Sequence, residues 1–413
     1  MTPRLVGLAA LGVGLLAGRI RALPAQTPSL AIDSSYSCVV CHAEHRRAFL
    51  SGVHAERGIR CHNCHGGNPA VLDLPGAHTG RFLGRPTKLQ IANLCASCHA
   101  DPNQMRQFGL SADQLASLRA SRHGQLLERG DPDAPTCTDC HESHLIRRAT
   151  DARSNSYPAN IPVLCARCHT DAKLMSTYGL PTDQFTQYAS SAHGVAVFQD
   201  ENFAAPTCIG CHGSHSALPP GVTQIADVCG RCHTLERQAL FSGPHGAPAK
   251  QGRLAGCIGC HSNHGTEKVP QDSIAWTCLK CHSAGSAPAA LGEQLQERIV
   301  RAAADLDQAE RAIDVLIHKG RDVTDSRLRY EDARTWYRQV VLVQHDLDLG
   351  TLEDLELRVA SATRTIDEAA TAAGENEWEH KLLLVPVWFL ALAVVALAWI
   401  RIADRRRDHG ARG

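Results

Sequence analysis

The sequence predicts a mainly α-helical protein with much irregular loop, ending in one transmembrane helix, and three observations predict it. All 18 cysteines lie before residue 287, in a stretch rich in Gly, Pro and Ser where helices must be short and sheet has little room. Beyond Ser286 Cys vanishes, and Leu291, Leu295, Ile299, Leu306, Ile313 and Leu316 recur at helical intervals. Residues 382–400 then run 19 positions without a charge, enough to cross a hydrocarbon core of roughly 30 Å as a helix.

The cysteines define the first element. Each belongs to a CxxCH pentapeptide: Cys38/Cys41/His42, Cys61/Cys64/His65, Cys95/Cys98/His99, Cys137/Cys140/His141, Cys165/Cys168/His169, Cys208/Cys211/His212, Cys229/Cys232/His233, Cys257/Cys260/His261 and Cys278/Cys281/His282. Zinc sites, disulfide frameworks and thioredoxin-like pairs need no fixed residue after the second Cys. With 23 His in 413 residues, nine such coincidences have a chance on the order of one in 10¹¹. The spacing is that of c-type haem attachment: two thiols bond the porphyrin edge and the adjacent His reaches the iron as proximal ligand. Nine covalent haem c groups are therefore expected.

A haem iron has a sixth position, and its occupant decides whether the centre relays electrons or binds a small molecule. Aligning the chain on itself reveals a two-haem repeat, clearest between residues 91–144 and 160–215. Each copy passes through Ser-x-His-Gly, at His123 and His193, and closes on APTCxxCHxSH, at His144 and His215. A shortened third copy carries His245 and His264, and the motif at Cys278 stands alone. The first two motifs form a divergent copy with His45, His54 and His78. Leaving aside His62, which is enclosed within a motif, nine non-motif His remain in the haem region for nine irons. A His three residues after a proximal ligand cannot reach the far side of its own haem, so these should ligate a neighbouring haem. His318 and His345, in the later helical region, are reserves, and Met105 and Met175, each six residues after a proximal His, are expected to pack against porphyrin.

From residue 37 to 286 there are about 28 residues per haem, too few for a conventional core around each, so the porphyrins themselves should form the core. This places a nonahaem domain at 36–286, a helical segment at 287–378, a transmembrane helix at 381–401 and a basic tail at 402–413. Within the helical segment, Gly320, Gly350 and Gly374 suggest helices at 289–319, 325–348 and 352–373, with Thr351 and Asp354 as a capping box. Such helices suit a stalk, a surface for forming an oligomer, or a platform against the haem domain.

The ends fix the compartment. Met1–Arg4, an apolar run at 5–17 and small residues at 22–25 read as an export signal over residues 1–25, although Arg19 and Arg21 also allow an uncleaved anchor. Arg401, Arg405, Arg406, Arg407 and Arg412 put the tail in the cytoplasm by the positive-inside rule, so the haem domain faces the periplasm. Trp378 and Trp399 suit the two membrane interfaces. Lys plus Arg equals Asp plus Glu at 42 each, which offers nothing to nucleic acid.

The CxxCH motifs with CHxxH closures and intervening Ser-x-His-Gly resemble, over residues 36–285, the multihaem c-type cytochrome superfamily. That group includes tetrahaem quinol dehydrogenases, pentahaem nitrite reductases, hydroxylamine oxidoreductases and octahaem tetrathionate reductases. The resemblance implies helices after the haem region, as in catalytic members, and a single-helix anchor, as in quinol-oxidising ones. Every motif here keeps His as proximal ligand, where catalytic members substitute Lys at one. The quinol dehydrogenases, in turn, have an N-terminal anchor and fewer haems.

These readings predict a membrane-anchored electron carrier, with bis-His haems passing electrons between a membrane donor, such as a quinol-oxidising subunit, and a periplasmic or outer redox partner. The alternative is an oxidoreductase acting on a small nitrogen or sulfur oxyanion at one haem with an open sixth position.

Overall fold

The computed structural model describes residues 36–410. The predicted leader at 1–25 and Arg412 lie outside them. Among the described residues the chain is helix and loop, with no strand. It divides into two compact units, one reaching to Pro86 and including His144–Ile146, the other comprising Thr87–Ser143 and the chain from Arg147 onward.

Helices before residue 287 are short because motifs, Gly and Pro interrupt them; the longest, Lys88–His99, has 12 residues and ends on its own proximal His. Its start is fixed by a capping box, in which Thr87 Oγ1 accepts from the Gln90 amide at 3.3 Å and Gln90 Oε1 accepts from the Thr87 amide at 2.8 Å. Three further helices bear on the site: α1 (Arg122–Glu128), α2 (Ala192–Phe198) and α3 (Gly246–Lys250). The buried apolar cluster of the Thr87–His141 stretch is small, comprising Ala92, Leu127 and Ala134.

The second part of that unit is a three-helix bundle: α4 (Ala287–His318), α5 (Thr324–Val343) and α6 (Leu349–Gly410). Its core is layered along the axis. Leu295, Ile299, Val340, Leu352 and Leu355 form the layer beside the haem region; Ala302, Leu306, Ala333, Val359 and Ala362 the middle; Ala309, Ala312, Ile313 and Ile366 the far end. Glu356 is buried among them, but Arg298 at 2.7 Å and Arg301 at 3.2 Å neutralise it.

The bundle packs on the last motif. Ile274 joins the first layer, Gln296 Oε1 accepts from the Ala275 amide at 3.0 Å, and a Cβ on Gly292 would sit 2.6 Å from Cys278 Sγ. Of the three roles open to the helical segment, it therefore has the contacts of a platform.

Three predicted boundaries shift, the first being the end of α5, which stops at Val343 and not at 348. No break occurs at Gly374: α6 runs unbroken from the bundle into the apolar run, because a lone Gly costs only about 1 kcal/mol between strong helix formers. Asp348, not the Thr351–Asp354 pair, caps its start, accepting from the Gly350 amide at 3.0 Å and from Thr351 Oγ1 at 2.6 Å. Within α6, Leu384–Ile402 is long and apolar enough to cross a membrane, with mean hydropathy 2.2.

Candidate functional site

A metal–imidazole bond of about 2.0–2.1 Å puts a ring centroid about 3 Å from the metal, so rings on opposite sides of one iron stand about 6 Å apart. That separation recurs through the haem region. In the first unit His42 lies 6.4 Å from His78 and His65 lies 6.2 Å from His144. In the second, His141 and His215, His169 and His123, and His233 and His193 are each 6.1 Å apart. His212 and His264 are separated by 6.0 Å, and His282 and His245 by 6.2 Å, as are His261 and His345. Every pair joins one motif His to one non-motif His.

The pairs obey a register rule. A Ser-x-His-Gly histidine, or its Gly-Pro-His-Gly counterpart, meets the first motif of the following repeat, as in His123 with His169, His193 with His233 and His245 with His282. A closing CHxxH histidine meets the second motif of the preceding repeat, as in His144 with His65, His215 with His141 and His264 with His212. His54, in the Ser-x-His place of the first copy, lies on the short helix Val53–Glu56. His45 falls 6.5 Å from His42 and stacks on His144 at 4.7 Å, a spacing that suits neighbouring rings and not rings across one iron.

Local structure explains the first motif class. Ser121 caps α1, its Oγ accepting from the Gly124 amide at 3.0 Å; Ser191 does the same for α2 with Gly194 at 2.9 Å. The caps hold His123 and His193 in the first turn. The Gly is forced by packing, since a Cβ there would lie 1.9 Å from the carbonyl oxygen of Leu118 or of Tyr188. Gly246 beside His245 is under the same constraint, with 2.6 Å to the Phe241 oxygen.

The closures rest on a different device. The residue after the motif His takes positive φ at Glu142, Gly213 and Ser262, turning the chain so that the closing His leaves its own motif. Glu142 and Ser262 do this against the preference of an L side chain. Ser262 Oγ is also buried without a hydrogen-bond partner. Ser262→Gly is therefore expected to stabilise the holoprotein by about 1 kcal/mol in thermal melts; a lower melting temperature would refute the strain argument.

Iron requires a neutral imidazole with one nitrogen free. Burial pushes His99, His123, His141, His144, His169, His193, His215, His245, His264 and His345 below the usual histidine range. On several rings Nδ1 is already engaged by a backbone carbonyl, leaving Nε2: His65 with Leu83 at 3.0 Å, His212 with Leu218 at 3.2 Å and His261 with Glu267 at 2.9 Å. The residues present thus fit haem on both sides.

Successive motifs are also neighbours in space. Thiols meet in hydrogen-bonding contact between Cys95 and Cys137, Cys165 and Cys208, and Cys229 and Cys257. Burial, then charges that include the next motif's thiol, raises Cys140 beside Cys168, Cys211 beside Cys229 and Cys260 beside Cys278. In the first unit Tyr36 hydrogen-bonds to both Cys38 and Cys61. Tyr36 was not legible as a site residue, since a lone aromatic two residues before a motif carries no pattern. Its hydroxyl also meets the ring of His62 at 3.1 Å, so His62 faces Tyr36 within its own motif. Met105 and Met175 are buried, as packing residues would be.

The sequence treats the two thiols of a motif as equivalent, and the structure does not. The first cysteine of every motif is partly buried, whereas the second cysteine is exposed in every motif but that of the half-buried Cys64, even where, as at Cys140, Cys211 and Cys260, surrounding protein desolvates the thiol. The second cysteine lies near the end of a short helix in most motifs, and beyond it at Cys232 and Cys281. None of the eighteen is joined in a disulfide, so each thiol keeps the chemistry that addition to a porphyrin edge requires.

Residues 94–170, spanning three motifs, match the family model for cytochrome c554 and c-prime. That stretch is thus similar to a c-type cytochrome family. No curated protein and no solved structure matches the chain. The matched stretch takes in Ser-x-His-Gly and one closure, the features that build the ring pairs above.

Proposed function

We propose that this chain is a c-type cytochrome, anchored in the cytoplasmic membrane, that relays electrons through nine covalent haems. Each would be held by two histidines, and the chain would connect a membrane donor linked to quinol oxidation with a periplasmic or outer acceptor of a respiratory chain. The observation that carries the reading is the order of the motifs: within each unit, each motif adjoins the next one in sequence, which is how a relay is laid out. When bound, haem supplies a reversible one-electron change at iron. The chain's own contribution is to close each sixth position, which favours relay over binding of a small molecule.

The proximal ligands in this reading are His42, His65, His99, His141, His169, His212, His233, His261 and His282. Both cysteines of each motif would anchor the porphyrin, the exposed Cys41, Cys98, Cys232 and Cys281 and the half-buried Cys64 included. The distal set includes His78, His123, His144, His193, His215, His245 and His264 on the strength of their ring distances. His54 enters on register alone, whereas His45 stacks on His144 at 4.7 Å and the register rule assigns it no iron.

The bundle supports a protein partner. From Leu349 to Leu384 α6 spans about 50 Å at 1.5 Å per residue, and its start adjoins the haem-region layer of the core. Haems at that end stand too far from the hydrocarbon for one electron step from a membrane quinol, so a quinol-oxidising subunit with its own redox centre would bridge the gap. The Arg-rich residues after the apolar run support a periplasmic haem domain.

Haem analysis of the purified protein should return nine haems per chain, and electron paramagnetic resonance of the oxidised form should show low-spin signals alone. A high-spin iron in the unsubstituted protein would overturn the relay reading and favour an oxidoreductase acting on a small nitrogen or sulfur oxyanion.

A further inference from the structure

The register rule leaves the eighth motif short. Its His261 is the second motif of the last full repeat, and its distal ligand should be the closing histidine of the next. The next motif, at Cys278, continues His282-Ser-Ala-Gly and has no such closure. Opposite His261 stands His345, at 6.2 Å between centroids and 27° between planes, which matches the spacing of the other pairs.

His345 belongs to the turn between α5 and α6, in another domain of the sequence. The turn is built to hold it. Leu347 takes φ of 63°, and its side chain and that of Leu349 pack on the first core layer. Gly243 admits the turn against the haem region, since a Cβ there would lie 2.5 Å from the Asp346 oxygen. His345 Nδ1–H donates to the Leu342 carbonyl at 2.9 Å, which fixes the ring and leaves Nε2 for a metal. His318 makes the corresponding bond to Asp314 at the end of α4 but is exposed, so the bond alone does not make a ligand.

We propose that His345 is the sixth ligand of the haem attached at Cys257 and Cys260, so that the helical bundle, and with it the membrane anchor, is a structural part of the redox chain. The inference rests on the relay reading and extends it to a ligand carried by the anchor domain. Its consequence is that displacing the bundle from the haem region opens this one iron, while the other paired irons keep ligands from the haem region itself.

The test uses the full-length holoprotein with His345→Ala, His345→Met and His318→Ala. His345→Ala should turn one haem in nine high-spin and able to bind carbon monoxide, with added imidazole restoring the low-spin signal. His345→Met should keep that haem low-spin with a raised potential, since thioether ligation favours the reduced state. His318→Ala should resemble the parent. A His345→Ala protein with every haem low-spin and no carbon monoxide binding overturns the assignment, as does a His345→Met protein with unchanged potentials. High-spin iron already present in the parent would instead overturn the relay reading.

Discussion

Replacing Gly124 or Gly194 by Ala should destabilise the protein by roughly 3 kcal/mol or more and turn one identifiable haem high-spin. The reason is steric and local. The new methyl would stand 1.9 Å from a backbone carbonyl oxygen, of Leu118 or Tyr188, and backbone cannot swing aside as a side chain can. The first turn of α1 or α2 must move, and His123 or His193 moves with it. The iron exposed belongs to the next repeat, at His169 for Gly124→Ala and at His233 for Gly194→Ala. Removing the cap is the graded comparison: Ser121→Ala loses one hydrogen bond to the Gly124 amide and should cost about 1 kcal/mol with His123 still in reach. Thermal melts and electron paramagnetic resonance on the same samples separate the two. A Gly124→Ala protein as stable as its parent, or one whose high-spin haem maps to its own repeat, would contradict the forward pairing.

That pairing marks the limit of what the sequence discloses. The recurrence of the histidines in register was legible, and so was the expectation that a closing histidine stands opposite a motif other than its own. Which neighbour was not. His123 reaches forward and His144 backward, and the choice depends on how consecutive motifs abut, through contacts such as Cys165 with Cys208 that no local pattern encodes. His345 was visible only as a reserve, 84 residues beyond His261 in a segment with no motif, and its place depends on a turn that Leu347 and Gly243 allow. The break expected at Gly374 fails for a thermodynamic reason. One glycine is a small penalty against a helix that is packed up to Ile366 and Ala373 and continues into an apolar run.

A chain made without haem attachment should lose the ordered structure of residues 36–286 and keep that of the bundle. Helices in the haem region are at most 12 residues long, at or below the roughly 12–15 under which isolated helices are marginal even in favourable sequences. Their buried apolar cluster, Ala92, Leu127 and Ala134, is small, and the cysteines that would bind porphyrin are partly or fully exposed without it. The surface that haem covers is thus the surface that would otherwise form the core. Residues 287–374 depend on none of this: three long helices enclose Leu295, Ile299, Val340, Leu352, Val359 and Ile366, each nearly fully buried, at roughly 1.5–3 kcal/mol of burial free energy per large aliphatic side chain. Limited proteolysis of haem-free protein in detergent should release the first part of the chain as small peptides and leave a resistant fragment beginning near Ala287. Circular dichroism should retain a cooperative helical melt from that fragment. A haem-free chain protecting both regions equally would mean that the haem region carries a core of its own, and that porphyrin adds redox chemistry without holding the fold.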